Sequence, residues 1–486
     1  MTITPEVLDT ARPPAGPAAE PGRGRWLMLT VLLAGQFMAL LDVTIVNVAM
    51  PTMRIDLHAS GSALQLIVAG YTVSYAMLLI TGARLGELFG RRRMFLSGLF
   101  VFALSSLLCG LAPDVTTLIV ARFLQGAGAA LMVPQIMSMI QIRFTGAARA
   151  TALSAYSAVI AVGAICGSIL GGVLVDADLF GTGWRPVFLV NVPFALIVAV
   201  LVPRLVTPDG PRGTRKLDIA GLLVAVPAVF LMVFPVVLGH EQGWPAWTFL
   251  CLAAGLVLAA AFVAVERRVA ARGGDPLLRL DVLRSPGLRS GLAAVGAGMI
   301  AYGGFLFIFT LHLQGGLGDS PLRASLTFAP AGAVFGLFGF YWRKLPGRIH
   351  HLLTPVGFTL AVLAYLAIAA TMRDGGPGGA LLQAGLLLFG ASMGVAFSSL
   401  LTNALVHVPL RQAADASGLV TTTVQLAQVI GVATFGSLFL ALAEHTGPHP
   451  SASALASVLI GLAGTLAAGI LAAVLLTRTV LMARAA

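Results

Sequence analysis

Charge is scarce in this sequence: 10% of its 486 residues are Asp, Glu, Lys or Arg, against about 25% in soluble domains. Hydrophobic residues make up 58% and the mean hydropathy is +0.94, spread along the whole chain. That excludes a soluble protein, and also a soluble domain on a single anchor. Short alternating segments are missing too, which excludes a membrane β-barrel. Lysine occurs only at Lys216 and Lys344, neither in a Gly-x-x-x-x-Gly-Lys-Ser/Thr loop, so no ATP-binding loop is expected. Cysteine occurs three times, at Cys109, Cys166 and Cys251, all in apolar runs. No disulfide framework, metal site or cofactor is expected from them.

What is present is a series of apolar runs long enough to cross a bilayer core of about 30 Å. Fourteen spans are read, at roughly 26–51, 63–83, 94–112, 116–140, 150–175, 186–206, 217–239, 247–265, 289–313, 322–342, 352–372, 379–407, 416–442 and 454–477. The fold class is an all-α polytopic membrane protein with 14 transmembrane helices, two six-helix bundles and an inserted helix pair. The domains are a disordered cytoplasmic tail (1–25), an N-terminal bundle (26–206), linkers with inserted helices 7 and 8 (207–288), a C-terminal bundle (289–477) and a cytoplasmic tail (478–486). The first residues lack a signal peptide's basic start and apolar middle. With both termini in the cytoplasm, the cytoplasmic segments hold 25 Arg/Lys and the outer loops hold 4: Arg54, Arg185, Arg323 and Arg373. That asymmetry fits the positive-inside rule. The pI near 10.5 therefore reports orientation and contact with anionic lipid, and no nucleic-acid partner is needed. Twenty-eight Arg against two Lys, with much Ala and Gly, suggests a GC-rich genome.

Two charges fall inside spans, Asp42 in the first and Arg122 in the fourth. Counted from the outer ends at 1.5 Å per residue, both lie at a depth of about 10–14 Å. Charges at that depth face the bundle interior and usually mark function. Either the pair is a proton site, in which movement of Arg122 switches the proton affinity of Asp42, or it only fixes helix packing. Gln36 and Asn47 share one face of the first helix, and Asp42 lies about 120–140° away from both. Either that helix bends or one polar set contacts a neighbouring helix. Gln36, Asn47, Tyr71, Tyr75, Gln125, Phe305, Phe309 and Gln425 are candidates for lining a substrate cavity, although aromatics at this spacing also fit a packed core. The second-to-third connection carries Arg84, Gly86, Glu87, Gly90, Arg91 and Arg92, a candidate conformational loop. Gly163, Gly167, Gly171 and the adjacent Gly172 form a small-residue ridge for close helix packing.

Taken together, these residues resemble the major facilitator superfamily, and within it the fourteen-helix branch of drug:proton antiporters, over about 26–480. Leu41-Asp-Val-Thr-Ile-Val-Asn-Val-Ala-Met-Pro51 is similar to the branch's first-helix motif. Leu118-x-x-x-Arg122-x-x-Gln125-Gly126-x-Gly128-Ala-Ala130 is similar to its fourth-helix motif, and the segment 82–93 to the superfamily's loop signature. The sequence departs from the pattern at Ala83, Glu87, Ser168 and Val424. The resemblance implies proton coupling at Asp42 and Arg122, and export of a small amphiphilic drug or antibiotic by alternating access across a bacterial plasma membrane. The implied partners are that small molecule, protons and the lipid bilayer, with no ATP and no enzymatic activity. A facilitator or a translocator of lipids or lipid precursors on the same fold is the alternative.

Overall fold

A bilayer offers no hydrogen bonds to the backbone, so each span must satisfy its own, and helices do so. The computed structural model describes residues 22–178, 181–208, 218–239, 242–276, 278–376, 378–409, 412–443 and 449–485, and among them there is no strand. The helices are α1 (Gly22–Asp56), α2 (Gly61–Phe89), α3 (Arg91–Gly110), α4 (Val115–Arg143), α5 (Gly146–Asp176), α6 (Pro186–Leu189), α7 (Asn191–Leu205), α8 (Ile219–Leu238), α9 (Ala246–Ala271), α10 (Leu288–Leu311), α11 (Pro321–Tyr341), α12 (Leu353–Met372), α13 (Gly379–Leu405), α14 (Ala413–Ala443) and α15 (Pro450–Ala485). Twelve helical segments among the described residues are long and apolar enough to cross a membrane. α5 and α8 contribute shorter apolar stretches, Cys166–Asp176 and Ile219–Pro235.

Polar caps start several of these helices. The Ser60 hydroxyl accepts from Ala63 N at α2, and the Asp114 carboxylate accepts from Thr117 N at α4. α2 gives way to α3 at Gly90, whose φ of +95° suits glycine alone. The sixth predicted span is split in two, α6 and α7, either side of Val190. α15 runs on to Ala485, through the segment read from sequence as a tail beginning at 478. The predicted 1–25 tail falls outside the described residues except for its last four, which belong to α1.

The same pairing pattern occurs twice. In the first half α1 packs on α5, α4 lies between α2 and α3, and α7 closes against α1 and α3. In the second half α10 packs on α14, α13 lies between α11 and α12, and α15 closes against α10 and α12. The halves then exchange partners, α5 against α11 and α2 against α14, while α8 and α9 pair with each other and α8 lies on α2 and α14. Repeated halves meeting around a central axis is a transporter layout.

Small residues bring these helices close. A Cβ on Gly126 would sit 2.2 Å from the Tyr71 carbonyl oxygen, and one on Gly431 2.1 Å from that of Ile300. At the end carrying the α2–α3 junction, here the basic end, Trp342 Nε1 donates to Ser154 Oγ at 2.7 Å and Arg343 donates to Ala147 O and Thr151 Oγ1. These bonds join the two halves. Beside them Ala83 meets Gly418.

Candidate functional site

The caps set the height of the site. Asp114 starts α4, and the N–H of Thr117 holds its carboxyl below the usual carboxylate range. Two turns further along, Arg122 points into the first half. Its Nη1 donates to Asp42 Oδ2 at 2.5 Å and to Gln125 Oε1 at 2.7 Å, and its Nε donates to the Ile67 carbonyl at 2.9 Å. Asp42 Oδ1 accepts from Gln125 Nε2 at 2.8 Å and from Asn191 Nδ2 at 3.0 Å. Both amides also donate to Ser106 Oγ, which donates to the Phe188 carbonyl. Asp42, Ser106 and Gln125 are 0% exposed, and Arg122 and Asn191 are 1%. The guanidinium lies over the Tyr71 ring at 4.7 Å and over the Phe188 ring at 5.8 Å, where it gains cation–π attraction.

Every oxygen of the carboxylate thus has a donor, and the cation has two acceptors besides its counter-ion. This is the only way such a pair is tolerated without water. Chemically it is a dry ion pair that opens only if Arg122 or its amide neighbours move. Sequence reasoning paired Asp42 with Arg122 but missed Ser106 on α3 and Asn191 at the start of α7. A lone Asn in the apolar run 186–206 was the available signal. Cys109, missed likewise, lies 3.8 Å from Gln125 Oε1.

The remaining candidates scatter. Gln125 and Tyr71 belong to the ion-pair network, and Tyr75 is buried beside Tyr71 at a ring distance of 6.0 Å. Asn47 is exposed and Gln36 is buried, its Oε1 without a hydrogen-bond partner. Phe305 and Phe309 are fully buried in an aromatic cluster with Phe328, Tyr365 and Phe389 in the second half. Gln425 is half-buried on α14. Gly163, Gly167 and Gly171 face α1 at Leu40, Thr44 and Ile45, whereas Gly172 faces Leu322 of α11.

In the loop segment, Arg84 pairs with Glu87 at 2.5 Å and Arg91 Nε donates to Ser138 Oγ at 2.6 Å. Gly86 leaves room for Gln135, whose amide donates to the Gly82 carbonyl at 2.8 Å. Gly90 forms the turn and Arg92 lies half-buried after it. A cavity of about 20 Å³ lies between the halves here, lined by Arg84, Glu87, Leu278, Asp415, Gly418 and Thr422.

The family profile of the Major Facilitator Superfamily matches residues 32–432, which include the whole ion-pair network. This chain belongs to the Major Facilitator Superfamily. The transporter is 40% identical over 446 residues to the "Probable actinorhodin transporter" of Streptomyces coelicolor, covering 88% of this chain and 75% of that one. It is 35% identical over 427 residues to the "Cephamycin export protein CmcT" of Amycolatopsis lactamdurans, covering 83% of each. Among solved structures, the human organic anion transporter MFSD10 (TETRAN) superposes on the transporter with a TM-score of 0.65 at 16% identity, over 93% of this chain and 100% of that one. That last likeness concerns the fold.

Proposed function

We propose that this transporter is a proton-coupled antiporter that exports a small amphiphilic drug or antibiotic across a bacterial plasma membrane. The observation that carries the reading is the dry Asp42–Arg122 pair, joined at 2.5 Å by a residue that cannot lose its charge and one that can. In the outward-exposed state Arg122 releases Asp42, which takes a proton from outside as substrate leaves. In the inward-exposed state the proton leaves, the pair re-forms and substrate enters. Each proton falling through 100 mV supplies about 2.3 kcal/mol before the pH term. The relatives named for export of actinorhodin and cephamycin support the substrate class. In this reading α5 and α8 complete fourteen crossings, α8 and α9 are the inserted pair, and the basic end is cytoplasmic. Neutral or singly charged, ring-rich compounds are the best fit, because the Asp42–Arg122 network holds no second carboxylate for a dication.

The test uses purified protein in liposomes under an imposed pH gradient. Wild type should drive a test amphiphile uphill and Asp42→Asn should not. Flux that only equilibrates the compound, whatever the gradient, would instead mark a facilitator or lipid translocator.

A further inference from the structure

A second buried acid pair lies outside the site just described, at the basic end of the α8–α9 pair. Asp218 is the N-cap of α8 and Glu266 lies in the last two turns of α9; they are 8% and 1% exposed. One oxygen of each is occupied: Asp218 Oδ1 accepts from Gly221 N and Glu266 Oε2 from Leu278 N, both at 2.8 Å. The other two, Asp218 Oδ2 and Glu266 Oε1, are buried and have no hydrogen-bond partner. A Cβ on Gly221 would lie 2.3 Å from Glu266 Oε1 and 2.9 Å from Asp218 Oδ2, so both oxygens converge on the space that this glycine leaves open. Two bare carboxylate oxygens do not converge in a dry site, but a carboxyl and a carboxylate do, with the O–H of one donated to the other.

We infer that Asp218 and Glu266 share one proton as a second proton-binding site, which fastens the segment at Leu278 and Arg279 across the seam between the two halves. The surrounding charges favour this. Arg84, the cation facing Glu266, is paired with Glu87 at 2.5 Å. Arg279 is 3.6 Å from Asp275, and its backbone N–H donates to Asp415 of α14 at 3.3 Å. Leu278 itself lines the seam cavity with Arg84, Glu87 and Asp415. The bound proton therefore holds Glu266 on Asp218, and with it Leu278 and Arg279 against the second half. Loss of the proton leaves two like charges facing each other, which pushes Glu266 away from Asp218, shifts the Leu278 that it holds and loosens the seam. An alkaline cytoplasm would favour opening. The inference rests on the reading that this end opens during transport.

The test uses the full-length protein in lipid discs, with Cys109, Cys166 and Cys251 replaced by alanine. Spin labels go at Phe89→Cys and Leu345→Cys, both exposed and one on each half. Label distance and the infrared carbonyl band of protonated carboxyls are followed against pH. In wild type the band should disappear as the distance lengthens. Glu266→Gln keeps the bonds to Leu278 and Asp218 without a proton, so it should lose the titrating band and hold the short distance at every pH. Asp218→Asn keeps the helix cap and should shift the titration by about one pH unit or more. Asp42→Asn should retain both responses. The inference is overturned by a wild-type distance that ignores pH, by Glu266→Gln behaving as wild type, by an unmoved titration in Asp218→Asn, or by loss of both responses in Asp42→Asn. Failure of pH-driven export in liposomes would count against the antiport reading and leave these spectra as they are.

Discussion

Removing one member of the Asp42–Arg122 pair should cost far more than removing both. In Asp42→Asn the guanidinium stays 99% buried with neutral acceptors and no counter-ion. The new amide would also point a donor at another donor. An uncompensated buried charge of this kind costs about 3–5 kcal/mol, and Arg122→Gln strands the carboxylate at a similar cost. The double variant Asp42→Asn/Arg122→Gln leaves a neutral network of amides with Ser106 and Asn191, which should cost no more than about 2 kcal/mol. Unfolding free energies of the four proteins in one detergent give the cycle. Single effects that add to the double within about 0.5 kcal/mol would mean that the pair contributes nothing as a pair. Uphill export should be absent in all three variants, so a double variant that regains both stability and uphill export would refute the proton role.

Other perturbations separate charge from geometry. Arg122→Lys keeps the charge but loses the donor to Ile67 and the stacking on Tyr71; initial export rates should fall at least about tenfold. Asn191→Leu removes a donor shared by Asp42 and Ser106, and with buried polar groups worth about 1–3 kcal/mol each it should cut pH-driven export about ten- to a hundredfold while surface expression persists. Gly126→Ala would drive a methyl into the Tyr71 carbonyl and should abolish folded, dye-exporting protein. Gly172→Ala meets only Leu322, at 3.6 Å, and should leave both expression and export near wild type. Equal behaviour of the two glycine variants would contradict the packing described for α2 and α4.

The helices were legible in the sequence because the apolar runs are long enough to span and the second-to-third connection falls at Gly90. Each of the fourteen predicted spans coincides with helix, although α5 and α8 fall short of the length and apolarity that twelve others reach among the described residues. The pairing of Asp42 with Arg122 was legible from depth and opposite sign. The rest of the network was not, because residues 42, 106, 122, 125 and 191 meet only when α1, α3, α4 and α7 close on one another, and no spacing along one helix encodes that. Helical arithmetic left two possibilities for Asp42 against Gln36 and Asn47; Asp42 bonds to the neighbouring helices α4 and α7, and Asn47 is exposed. Phe305 and Phe309 were ambiguous because core and cavity aromatics share the same period. Nor does any helical spacing in the stretch after α9 encode the bond from Leu278 N to Glu266 or the full burial of Val282.

The contact between α5 and α11 has a mechanical consequence. Away from Trp342 and Arg343 it is made by small groups: Gly172 against Leu322 at 3.6 Å, and Gly336 against Val162 and Ala158 at 3.5 and 3.8 Å. At these two glycines there are few side-chain knobs to lift over one another. In the transport cycle proposed above, α5 would roll on α11 there as a shaft rolls in a plain bearing, while the hydrogen bonds of Trp342 and Arg343 at the basic end would have to be undone for it to turn. The helix pair would then act as a fulcrum, with a latch at its basic end.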